Sequence, residues 1–386
     1  MLTLALACVS LTSCSSDEDL PESSHTGQQK SVSEILAGMT LHEKLCQMIF
    51  CRPEAFGDPN DEGHVATPVQ YAVTEWADSL SQFYEQYPVG GFVLFGHNIV
   101  NETQLKSFNA AIHSLSGRPM TCVDEEGGQR ATRIAWNDNF DLKRFTSSYG
   151  LGHEGDWQKV ADTARYIATY VKEYGFDVDL APVADVWTNP VNTVIGTRAY
   201  STNPDTAARC AWAYYSAQQS VGVQGCYKHF PGHGDTSTDS HYGYADSYKT
   251  WEEMLACEMI PFKMGIDNGI EMIMSAHVRT PNVTSDGLPA TLSKEMLTGK
   301  LRGELGYQGI IACDGLAMGA ISNEYTVEEV AVGTVKAGID IILLPLSLPR
   351  TVSALKEAIA KGEITESRID ESVTRILKMK RKMGLI

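Results

Sequence analysis

Eight short apolar runs alternate with stretches of helical periodicity, and this alternation constrains the fold more than any other feature of the chain. The runs span 47–51, 90–94, 119–123, 176–182, 224–229, 271–276, 309–313 and 339–344. Near-continuous apolar strands are what a parallel sheet covered on both faces requires. The helical stretches between and after them cover 69–87, 102–115, 156–174, 204–221, 250–268, 293–305, 327–337 and 349–360, with a last amphipathic helix over 365–383. Two further helices, 32–37 and 40–48, precede the first strand, and Thr40 is placed to cap the second. The alternation predicts an α/β protein, a single (β/α)8 TIM-type barrel over 33–386. An open doubly wound sheet is the alternative, but no glycine fingerprint opens a helix after the first strand. The run 221–227 also reads as buried strand, interrupted by Gly222 and Gly225.

In such a barrel the residues that follow each strand face one rim. Asp124 follows the third strand, Asp185 and Arg198 the fourth, and Lys228, His229, Asp239 and His241 the fifth; His277 ends the sixth and Asp314 the seventh. The densest stretch is Lys228-His229-Phe230-Pro231-Gly232-His233-Gly234-Asp235-Thr236-Ser237-Thr238-Asp239-Ser240-His241. Turn loops favour Gly, Asn and Ser over paired His and Asp, so this loop reads as chemistry. Asp314 lies between an apolar strand and Gly315, where a ligand can approach closely, and is the candidate nucleophile. The bland alternative is a helix N-cap. Asp239 and His241, one residue apart, form a candidate dyad. The carboxylate would fix the tautomer and favour the imidazolium, making His241 an acid and then a base. Two such groups on either side of an acetal make a glycosidase.

Two other readings compete. His229, His233, Asp235, Asp239 and His241 have metal-ligand character, which would make a barrel metallohydrolase. Lys228 adjoins them and would repel a cation, and no His-x-His ends an early strand. A non-catalytic glycan-binding lipoprotein would need neither nucleophile nor proton donor.

The pieces resemble the β-N-acetylglucosaminidases of glycoside hydrolase family 3. They include Asp124-Glu125-Glu126-Gly127-Gly128, Ala181-Pro182-Val183-Ala184-Asp185-Val186, Ile195-Gly196-Thr197-Arg198, the loop from Lys228 to His241, Pro289-Ala290-Thr291-Leu292-Ser293 and Cys313-Asp314-Gly315-Leu316-Ala317-Met318. The resemblance implies a retaining mechanism without metal or cofactor. Asp314 would form a glycosyl-enzyme, with His241 oriented by Asp239 as acid/base. Asp124, Arg198, Lys228, His229 and one of Arg130 and Arg133, with Arg133 favoured, would hold a terminal N-acetylglucosamine. Two-domain relatives take their acid from a second domain; here the loop dyad is expected to suffice. The chain departs from the pattern at Gly315, where many relatives carry a second Asp, and at Tyr244-Ala245, which replaces Leu-Pro.

The first 13 residues are apolar and small, and Leu11-Thr12-Ser13-Cys14 resembles a bacterial lipobox. Residues 1–13 then read as a signal peptide, with Cys14 lipidated and 14–32 a flexible tether. This places the protein outside the cytoplasm on the outer membrane, at its periplasmic or surface face, held only by the lipid. The net charge of -17 argues against a nucleic-acid partner, and the expected partner is a carbohydrate bound by a monomer. Of nine cysteines, Cys122, Cys226 and Cys313 lie in apolar runs as small hydrophobes. Cys46 and Cys51 are close enough in sequence to pair.

Overall fold

Short runs of Ile, Val, Phe, Met and Cys, apolar on both faces, make the sheets. The structure, a computed structural model, describes residues 30–56, 72–237 and 245–386. Among these residues there are eleven strands: β1 Ile49–Cys51, β2 Gly91–Leu94, β3 Met120–Val123, β4 Val178–Asp179, β5 Gln224–Gly225, β6 Tyr227–Phe230, β7 Ala245–Asp246, β8 Met272–Ser275, β9 Val278–Arg279, β10 Ile310–Cys313 and β11 Ile342–Leu343. One parallel arc runs β11-β1-β2-β3-β4-β5, and a second runs β10-β8-β6. Parallel bridges Val183–Lys228 and Ala312–Ile341 stand where the arcs meet. This is an α/β fold of parallel half-barrel arcs, consistent with a TIM-like domain. Every residue of β1, β2, β3, β8 and β10 is buried. Each Val, Ile, Phe or Met so covered contributes about 1.5–3 kcal/mol.

The helices form where the apolar period is 3.6. In the helix Trp157–Glu173 the buried positions Val160, Thr163, Ala164, Ile167, Ala168 and Val171 make one stripe. Side-chain caps set the starts: Asn101, Asp156 and Asn203 each accept the N–H three residues on. Thr40, Thr250 and Thr326 close full capping boxes with Glu43, Glu253 and Glu329.

Four expectations need correction. Val221 ends the helix Pro204–Val221, and Gly222 caps it at φ 84° in the left-handed region, so the strand begins only at Gln224. The helix expected over 69–87 is described only as Asp78–Gln86. Ahead of it, side chains capture the backbone: Glu54 accepts the N–H of Val73, and Asn98 donates to the Val73 carbonyl. The stretch 250–268 is two helices, Trp251–Leu255 and Met259–Asp267. Pro261, in the first turn of the second, has no N–H to continue the ladder from the first. The helix expected over 293–305 is wound as a π-helix, Glu295–Glu304. Cys46 and Cys51 are free thiols, and Cys122, Cys226 and Cys313 are buried as expected. Among the described residues no helix is long and apolar enough to cross a membrane.

Gly90 tests this packing. Its N–H donates to the carbonyls of Cys46 and Ile49, and an added Cβ would meet the Gln47 carbonyl oxygen at 2.0 Å. Gly90→Ala must therefore push the start of β2 away from the end of the helix Leu41–Gln47. It is expected to lower stability by about 1–3 kcal/mol in urea unfolding; an unchanged midpoint would mean that this approach is not as tight as described.

Candidate active site

The strand ends deliver their polar residues to one cavity of about 270 Å³. Asp124 enters from the end of β3, Arg198 from the turn Gly196–Arg198, Lys228 and His229 from β6, and Asp314 from the end of β10. Arg130 and Arg133, on the loop after β3, line it as well. Val93, Leu180, Met274, Met318, Leu343 and Leu344 form an apolar wall that residue spacing did not reveal.

Lys228 is 2% exposed and would be costly there unpaired. Its ammonium donates to Asp124 Oδ1 at 2.8 Å and lies 2.7 Å from Glu126 Oε1. Glu126 also receives a fork from Arg198, Nε at 2.9 Å and Nη2 at 2.7 Å. Burial raises the pKa of both carboxyls, but the charges of Lys228 and Arg133 hold Asp124, and those of Arg198 and Lys228 hold Glu126, below the ordinary range. Burial alone would depress Lys228; Asp124 and Glu126 raise it above the usual lysine value instead.

The charged form of His229 is disfavoured in this setting. Burial, and then the Arg198 charge, push its pKa well below the ordinary value. Its Nδ1 lies 2.7 Å from Asp185 Oδ2 and its Nε2 lies 3.4 Å from Arg198 Nη2. Since the carboxylate accepts and the guanidinium donates, the proton sits on Nδ1. Asp185 also accepts the N–H groups of His229 at 3.2 Å and His233 at 2.7 Å, pinning the start of the loop.

Asp314 is half-buried and lines the cavity. Its Oδ1 accepts the Gly315 N–H at 2.7 Å, and its own N–H donates to the Ser275 carbonyl at 2.9 Å. Burial raises its pKa, while His229, His277, the Gly315 amide and Lys228 bring it below the ordinary carboxylate value. An ionised carboxylate on a cavity wall can attack an electrophilic carbon or stabilise a developing cation.

The β3 loop is shaped by Glu125. Its carboxylate accepts the N–H groups of Arg133, Ile134 and Ala135 at 2.7, 2.8 and 2.9 Å and the Tyr170 hydroxyl at 2.7 Å. Arg133 Nη2 then lies 3.4 Å from Asp124 Oδ2, while Arg130 donates to the Thr193 carbonyl.

Asp124, Arg198, Lys228, His229 and Asp314 thus share one cavity, as their strand-end positions implied, and Arg133 lines it with them. Asp239 and His241 lie outside the described residues. His277 is a correction: it does not line the cavity, and its ring is buried against Thr291 and the Gly315 carbonyl. The residues read as metal ligands turn to different partners. His229 engages Asp185, His233 Nδ1 lies 2.9 Å from Thr236 Oγ1, and Asp235 Oδ2 accepts the Ser247 hydroxyl. Among the described residues no three His, Cys, Asp or Glu side chains are grouped to hold a metal. Sequence reasoning missed Glu126 and the role of Asp185. The run of three acids at 124–126 was the available signal, but spacing alone does not tell which of them faces the lysine.

A model of the glycosyl hydrolase family 3 N-terminal domain matches residues 40–379. The chain belongs to glycoside hydrolase family 3. Within this family it is 31% identical over 342 residues to a β-hexosaminidase A of Pseudoalteromonas piscicida, covering 81% of this chain and 56% of that protein. It is 32% identical over 291 residues to a β-hexosaminidase of Xanthomonas campestris, covering 75% and 86%. A solved family 3 β-N-acetylglucosaminidase from a Paenibacillus species superposes with a TM-score of 0.81 at 32% identity, over 90% of this chain and 63% of that one. The chain thus spans less than two thirds of the first and third of these relatives.

Glu126→Gln would leave Arg198 without its carboxylate and Lys228 with one anion in place of two. It is expected to cost about 3 kcal/mol at pH 7. The folded pKa of Glu126 lies below its unfolded value of about 4.3, so its contribution is complete above that pH and fades as pH falls through the folded pKa. Urea unfolding of wild type and variant at pH 7 and pH 3 should therefore show the gap narrowing in acid; a constant gap would contradict an ionised Glu126.

Proposed function

We propose that the protein is a retaining exo-β-N-acetylhexosaminidase that removes terminal β-linked N-acetylglucosamine. The observation that carries this reading is Asp314, a carboxylate biased towards its ionised form, on the wall of a one-sugar cavity that also holds Asp124, Arg133, Arg198, Lys228 and His229. The β-hexosaminidase and β-N-acetylglucosaminidase relatives support the substrate class. Asp314 attacks the anomeric carbon, and the charged groups bind the hydroxyls of the sugar. His241, oriented by Asp239, protonates the leaving oxygen and then deprotonates water. We read the two arcs as one closed (β/α)8 barrel over 33–386.

We further propose that residues 1–13 are a signal, that Cys14 carries lipid, and that 14–32 tether the enzyme on the outer membrane. Its substrates there are peptidoglycan fragments or chitin-type oligosaccharides.

Turnover of p-nitrophenyl β-N-acetylglucosaminide beside the β-glucoside tests the specificity, and the former should be strongly preferred. Asp314→Ala should reduce its turnover by about 10⁴-fold; a variant that keeps near-normal rates would remove Asp314 from the mechanism. His241→Ala should slow poor leaving groups more than good ones, because good ones need little protonation. Equal losses on both would count against the dyad. Cys14→Ala should move the full chain from the membrane fraction to the soluble one, whereas an unchanged distribution would exclude the anchor.

A further inference from the structure

His277 is fully buried and takes no part in the cavity lining, yet it sits directly behind Asp314. Its Nε2 is 3.0 Å from the Gly315 carbonyl, which can only accept, so Nε2 carries a proton and donates it. The same peptide unit is held from its other end, where the Leu316 N–H donates to the Leu343 carbonyl at 3.1 Å. Gly315 is therefore clamped, and its own N–H is the group that donates to Asp314 Oδ1 at 2.7 Å. There is little slack on the remaining side: a Cβ at Gly315 would stand 3.2 Å from Leu344 Cδ1. The ring itself is oriented from behind. Nδ1 lies 2.9 Å from Thr291 Oγ1, which is also 3.0 Å from the Ala276 carbonyl and 3.1 Å from Ser275 Oγ.

We propose that His277 and Thr291 are positioning residues for Asp314: Thr291 orients the imidazole, the imidazole holds the Gly315 carbonyl, and this aims the Gly315 N–H at the attacking carboxylate. The proposal rests on the reading of Asp314 as nucleophile. It gives a task to His277 and to Thr291, in the segment 289–293, neither of which lines the cavity. The physical reason is preorganisation. A carboxylate held by a fixed amide keeps one oxygen engaged and leaves the other free to attack, with no reorientation on the way to the transition state. The charged and titratable groups around Asp314 are Lys228 and His229 from β6, His233 from the loop that follows, His277 itself, and the thiols of Cys226 and Cys313.

The test compares the full-length wild type with His277→Met, His277→Gln, Thr291→Val and Thr291→Ser. Each protein is followed by the pH profile of kcat/KM on p-nitrophenyl β-N-acetylglucosaminide and by its unfolding midpoint. His277→Met removes the donor at similar volume. It should lower kcat/KM by about tenfold to a hundredfold and move the acid limb up by about one pH unit, because the carboxylate loses the aimed amide. His277→Gln places an amide N–H where Nε2 stood and should restore most of both. Thr291→Val should follow His277→Met in direction, and Thr291→Ser should follow wild type. If His277→Met does not fold, the Thr291 pair carries the comparison alone. Unfolding midpoints that fall while the acid limb and the rescue pattern stay at wild-type values would overturn the proposal. Trapping with a 5-fluoro N-acetylglucosaminyl fluoride separates this from failure of the wider reading. Label on Asp314 in wild type with unmoved variant profiles sinks the positioning role only. Label on another residue sinks the nucleophile assignment and the positioning role with it.

Discussion

A lysine ammonium buried between two carboxylates is the interaction on which the site depends. Lys228 sits where water cannot reach it and is stable as a cation only because Asp124 and Glu126 approach to 2.8 and 2.7 Å. Glu126 in turn holds Arg198, and Arg198 approaches His229. One network thus ties together the ends of β3 and β6 and the loop after β4. It fixes positive charge at the cavity. The cavity is also lined by Met274, Met318 and leucines.

Around this network lies a layer of residues that do not line the cavity and decide where the others stand. Glu125 gathers three successive N–H groups and thereby bends the loop that presents Arg133. Asp185 fixes the proton of His229 on Nδ1, which leaves Nε2 facing Arg198. His277 does for Gly315 what Asp185 does for His229. Such buried polar groups are tolerable because each has its partners, and their rigidity is what a site of fixed geometry needs.

Much of the fold was legible because it rests on local rules. The strand positions followed from apolar runs, and the cap at Thr40 followed from residue type. The failures have local causes too. Pro261 divides a helix that periodicity joins, and Gly222 turns an apolar run from strand into helix cap. The stretch before Asp78 has helical composition, but its backbone is claimed by Glu54 and Asn98, which lie far away in sequence.

The linear order of residues by itself determined the α/β class, the eight strand positions and the set of polar residues at strand ends. It did so because side-chain burial has a period and strand ends in a parallel sheet share a rim. Tertiary structure alone decided that Glu126 meets Lys228, that Asp185 serves His229, and that His277 turns away from the cavity towards Gly315. Glu126 and Lys228 are 102 positions apart, Asp185 and His229 are 44 apart, and His277 and Gly315 are 38 apart. No spacing rule spans such separations: which atoms meet there depends on how neighbouring strands are registered and on which face of each strand end turns inward.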